Sequence, residues 1–142
     1  MRIEHVRDSS IDGGQGLLAV ILSNDFWPME SGTNFVTPPE LTQQIGLLCH
    51  KQGTRVLPHT HRESQRKAVR TLETLVVVRG RISVSVYTAA GALARTVELF
   101  PGDAILLCSG HAVEYLNDSE VIEVKQGPYT EDDKAPLHII DI

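Results

Sequence analysis

Residues 82–87, Ile-Ser-Val-Ser-Val-Tyr, alternate apolar and polar side chains at a period of two. That period fits a strand with one buried and one open face, and fits a helix poorly. Ile82, Val84 and Val86 share one face, and Ser83, Ser85 and Tyr87 the other. The same short-run pattern fills the second half of the chain: LETLVVV at 72–78, RTVELF at 95–100, AILLC at 104–108, HAVEYL at 111–116 and VIEVK at 121–125. Gly80, the AAG tip at 89–91 and PGD at 101–103 punctuate these runs, and Gly80 and Gly102 supply the positive φ that tight turns require. Many short strands with almost no helical periodicity predict an all-β antiparallel sandwich or barrel.

The first third is turn-rich. DGGQG at 12–16 and SNDFWPMESG at 23–32 flank the apolar run LLAVIL at 17–22, which reads as a strand and as an edge or packing face for a second copy. After Thr37, PPE fits a turn entering a short helical or irregular segment, and IGLLC at 45–49 reads as a buried strand. No linker, internal repeat or low-complexity stretch divides the 142 residues, so a single domain over 1–142 is expected, with N-terminal strands and turns at 1–33, a core at 34–134 and a tail at 135–142.

Composition narrows the class. With 42% hydrophobic residues the chain can build a core, and no run of eighteen apolar residues suggests a membrane span. The start, MRIEHVRDSS, lacks the basic and apolar regions of a signal peptide, which predicts a cytoplasmic protein. Cys49 and Cys108 sit in apolar runs and read as reduced core thiols. A net charge of −5 argues against general nucleic-acid binding.

The chemistry concentrates around GTRVLPHTH at 53–61. On an extended strand His59 and His61 face the same way, and two neutral imidazoles with a carboxylate suit a divalent transition metal. Glu73 opens an apolar strand on the face of Leu75 and Val77, where a carboxylate needs a compensating cation. His111, at the start of HAVEYL, is the candidate further ligand, and Glu63 is the competing carboxylate. His5, His50 and His138 have no such company and read as surface or satisfied polar residues. Between His61 and Glu73, the segment RESQRKAVRTL carries Arg62, Arg66, Lys67 and Arg70. It reads either as a solvated loop or as a basic rim at the site mouth that grips a phosphate or carboxylate. Tyr115, in phase with His111 and Val113, is the one further inward candidate. Glu123 and Lys125 share a face opposite Ile122 and Val124, while EDDK at 131–134 reads as an exposed polar run.

These residues bring the chain to a recognisable pattern. It resembles the cupin superfamily, whose first motif is G(X)5HXH(X)3,4E(X)6G and whose second is G(X)5PXG(X)2H(X)3N. Gly53, His59, His61, Glu73 and Gly80 follow the first motif, with eleven residues between His61 and Glu73 in place of three or four. Gly102, Gly110 and Asn117 follow the second, with Cys108 at the proline position, Val113 at the histidine position and His111 two residues upstream on the same strand facing. A closer similarity, to the WbuC cupin fold metalloproteins of bacterial polysaccharide-biosynthesis gene clusters, spans roughly residues 34 to 134 and includes TLETLVVVRGRISVSVY and the ending IEVKQGPYTEDDK. The resemblance implies a double-stranded β-helix, or antiparallel jelly-roll barrel, that forms a homodimer. It implies a divalent ion, zinc, iron, manganese or nickel, on His59, His61, Glu73 and His111. Arg62, Arg66, Arg70 and Tyr115 would contact a small anionic metabolite such as a nucleotide sugar. Three outcomes fit: a metal-dependent isomerase, epimerase or dioxygenase, a ligand-binding or sensing cupin, and a structural cupin with a vestigial site.

Overall fold

The computed structural model describes residues 2–11, 16–24, 31–65, 70–128, 130 and 134–140. Among them the protein is all-β. Ten strands run in chain order: β1 (Arg2–Arg7), β2 (Leu17–Ser23), β3 (Gly32–Phe35), β4 (Gly46–Cys49), β5 (Glu73–Arg79), β6 (Ile82–Tyr87), β7 (Leu93–Leu99), β8 (Ala104–Leu107), β9 (His111–Tyr115) and β10 (Glu120–Lys125). They form a five-stranded sheet in the order β1-β2-β8-β5-β10, a three-stranded sheet β7-β6-β9 and the hairpin β3-β4, every pairing antiparallel. This is the architecture of a β-sandwich or barrel. No helix among the described residues is long and apolar enough to cross a membrane.

The two larger sheets are joined by one apolar core. Leu75, Val77, Ile105 and Leu107 of the five-stranded sheet meet Ile82, Val84, Val86 and Leu99 of the three-stranded sheet. The alternation of β6 is realised as read, since Ile82, Val84 and Val86 are fully buried while Ser83, Ser85 and Tyr87 are half-buried on the other face. Burying each such aliphatic side chain contributes roughly 1.5–3 kcal/mol, which is what sets the register.

A second cluster lies on the opposite face of the five-stranded sheet, where Val20, Leu22, Leu72, Leu106 and Cys108 are covered by Val36, Leu41, Ile45 and Leu47. It explains why LLAVIL is apolar throughout. β2 is an interior strand between β1 and β8, buried on both faces, so a continuous apolar run replaces alternation. The expectation that 17–22 offers an edge or packing face to a second copy is therefore corrected. β4 departs from expectation in the other direction: it pairs only with β3, and Leu48 on it is exposed. Residues 36–45 are irregular, held by Thr37 Oγ1, which accepts from Ile45 N at 3.0 Å and donates to Gln44 Oε1 at 3.0 Å.

The turns that set the register are locked by polar groups. Buried Asp103 accepts hydrogen bonds from Asn24 N at 2.6 Å and Phe100 N at 2.9 Å, which pins the PGD turn. Gly80 adopts φ +88°, and a Cβ there would collide with Ser119 and the Asp118 carbonyl, so the β5–β6 turn tolerates no side chain.

Candidate metal and ligand site

Glu73 opens β5 and is antiparallel-paired with Leu107 on one side and Lys125 on the other. The strand's alternation turns it to the side of Leu75 and Val77, but at the end of the sheets, where the core gives way to a cavity of about 510 Å³. Its carboxylate is 15% exposed and fully engaged: Oε2 lies 2.8 Å from His111 Nε2, and Oε1 lies 3.4 Å from Lys125 Nζ. The cation expected from its burial is thus present in the chain itself. Lys125 also pairs with Glu123 at 3.0 Å, and the Glu123 hydrogen bond above all, against the opposing effect of burial, raises the Lys125 pKa, with Glu73 adding to it.

His111 opens β9 in the facing sheet, so the pair spans the two sheets. Its Nδ1 lies 2.9 Å from the Ser109 carbonyl oxygen, which only accepts, so Nδ1 carries the proton. In the neutral ring Nε2 is then a lone-pair nitrogen aimed at a carboxylate. Two acceptors 2.8 Å apart require a cation, either a proton between them or a metal ion beside both. Two ligand atoms each about 2.1 Å from one ion would stand roughly 3 Å apart at the right angle of an octahedral site and about 3.4 Å apart at the tetrahedral angle. The spacing and the backbone-anchored tautomer therefore fit Glu73 and His111 as neighbouring ligands of a divalent ion.

His59 and His61 lie elsewhere. Residues 51–65 are exposed, and among the described residues no strand pairs with them. The two rings nevertheless face each other edge-on with centroids 5.2 Å apart. His59 Nδ1 donates to Leu57 O at 2.8 Å, the same i−2 carbonyl anchor that His111 uses, which leaves Nε2 of the neutral ring as the lone-pair nitrogen. Glu63 is exposed on the same segment. Among the described residues no group of three or more His, Cys, Asp or Glu side chains is gathered to hold a metal, so the structure shows two pairs, Glu73 with His111 and His59 with His61.

Of the residues assigned to ligand contact, Tyr115 lines the cavity. Arg62 and Arg70 are exposed and are not part of its wall, and Arg66 lies outside the described residues, as does Lys67. Sequence reasoning missed three contributors, Lys134, Ala135 and Leu137, which reach the wall from the far end of the chain. No periodicity or spacing marks them, because their position depends wholly on where the last segment docks. Cys108, by contrast, lies buried in the second cluster as expected, and burial pushes its thiol up to about 11.

A family profile described as a domain of unknown function, DUF6016, matches residues 33–99. The match encloses His59, His61 and Glu73 and stops before His111. No curated protein and no solved structure matches the chain.

Proposed function

We propose that the two large sheets are a cupin jelly roll and that its open end binds a divalent metal ion together with a small anionic metabolite. The observation that carries this reading is the His111–Glu73 contact, in which an imidazole with its Nδ1–H tied to a carbonyl sets its Nε2 2.8 Å from a carboxylate in the wall of a cavity. The topology supports it. β5 pairs with β10 and β8 while β6 pairs with β9 and β7, so consecutive strands nest across the two sheets in the manner of a jelly roll. Among the described residues β9 is an edge strand of its sheet and no strand pairs with the exposed segment at 51–65. Addition of that segment to the free edge of β9 satisfies both sets of backbone groups and brings His59 and His61 toward His111.

Zinc, iron, manganese and nickel all accept three imidazoles and one carboxylate. Such an ion, when bound, would polarise a ligand oxygen. The chain's own residues do the rest: Ser109 O orients His111, Lys125 holds Glu73 in place, and Tyr115 shapes the cavity. Isomerase, epimerase or dioxygenase chemistry on a sugar-related anion fits this site, and so does metal-dependent ligand sensing without turnover. The protein is read as cytoplasmic and homodimeric, with no nucleic-acid or membrane partner.

The test is elemental analysis of protein purified without a histidine tag, alongside hydrogen exchange with and without added zinc. We expect about one ion per chain, a loss of most of it in His111→Ala and in His59→Ala/His61→Ala, and slower amide exchange over 54–61 when zinc is added. Undiminished metal content in both variants would remove the metal assignment.

A further inference from the structure

The segment at 134–140 contains no regular secondary structure, yet it is closely fitted to the barrel. Gly91, in the β6–β7 turn at φ +88°, receives the His138 carbonyl so closely that a Cβ at position 91 would overlap it, and Ile140 N donates to Gly91 O at 3.1 Å. At Gly110, one residue before β9, a Cβ would stand 2.6 Å from Leu137 Cδ2. Two glycines in separate turns therefore form the seat of this strap, and Lys134, Ala135 and Leu137 become one side of the cavity that holds Glu73 and His111.

The charges in that cavity are not evenly matched. Glu73 is held by His111 and Lys125, and Glu123 by Lys125. Lys134 lines the same cavity and makes no ion pair among the described residues. With the wall carboxylates Glu73 and Glu123 already in contact with His111 or Lys125, the exposed Lys134 is, among the described residues, the cation of this wall left to meet an anion from solution. We infer that the strap at 134–140 is the ligand-selecting wall of the site and that Lys134 grips the phosphate or carboxylate of the ligand, in place of the basic loop at 62–70. The inference rests on the reading that this cavity takes a small anion, and it does not depend on the metal.

Thermal melting with inorganic phosphate in one arm and pyruvate in the other, each against chloride at equal ionic strength, tests it and separates the two anion chemistries. We expect wild-type protein to be stabilised saturably in at least one arm. Apparent affinity should fall about tenfold in Lys134→Gln and stay close to wild type in Lys134→Arg and in Arg62→Gln/Arg70→Gln. Because Lys134 is exposed, the variant should fold as the parent does, which its melting point without ligand checks. Equal affinity of Lys134→Gln and wild type overturns the inference, as does a loss confined to the arginine variant or a wild-type protein stabilised by neither anion. Metal content measured on the same samples keeps the two readings apart: Lys134-dependent binding to a metal-free protein removes the metal assignment alone, and a metal-loaded protein indifferent to Lys134 removes this inference alone.

Discussion

Cys108 shows how one residue's surroundings become a measurable property. It is 7% exposed and has no charged partner, and burial alone carries its thiol from an ordinary value of 9.0 to about 11. The folded state holds this proton more tightly than the unfolded chain. Its contribution is therefore complete below pH 9 and is lost as pH rises toward 11, by on the order of 2–3 kcal/mol for a shift of this size. Urea midpoints measured from pH 8 to 11 should fall more steeply for wild type than for Cys108→Ala, and parallel curves would show that the thiol carries no such linkage. Glu73 and His111 illustrate the opposite case, in which neighbours rather than burial decide the chemistry. The residue types of that pair were legible from the sequence, whereas the carbonyl of Ser109 that selects the histidine tautomer was not, since any residue's backbone can fill that role.

Among the strands, β6 is the clearest instance of local pattern determining packing. It is the centre of its sheet, paired with β7 through six residues and with β9 through five, and its inward residues are wholly buried. Ile82→Ala should cost about 2–5 kcal/mol in chemical denaturation, whereas Ser83→Ala on the half-buried face should stay within about 0.5 kcal/mol. Comparable losses at the two positions would mean that the inward face of β6 is not the packed one. β2 and β4 show where the pattern misleads. Both are apolar, but β2 is covered on both faces by other strands and the 36–47 segment, while β4 lies in a two-stranded hairpin and leaves Leu48 open. Hydrophobicity states that a strand has somewhere to bury its side chains. It does not state which neighbour arrives.

For the molecule as a whole, the outer face of the five-stranded sheet carries an apolar set that the two clusters do not cover. Val78, Ile122 and Val124 share that face and are each about half exposed, next to the open edge of β10. Our proposal of a homodimer locates its contact here instead of at 17–22, which the fold has enclosed. Sedimentation at micromolar concentration should give a dimer for wild type and a monomer for Ile122→Glu/Val124→Glu. A wild-type monomer would remove the proposal.

Local patterning alone fixed the all-β class and marked β2, β4 and the strands from β5 onward, whereas β1 and β3 carried no such signal. A period of two and glycines at positive-φ turns are local properties, enforced within a few residues, and they predict β5 to β10 to within two residues at each end. It also placed Glu73 on the inward side of β5, because strand alternation leaves no other choice. Which strands became neighbours was decided only when the sheets closed on their shared core. That closure brought Glu73 to His111 and Lys125 across 38 and 52 residues of chain, and seated the strap on Gly91 and Gly110. Those contacts depend on burial and close approach between distant segments, and no local pattern encodes them.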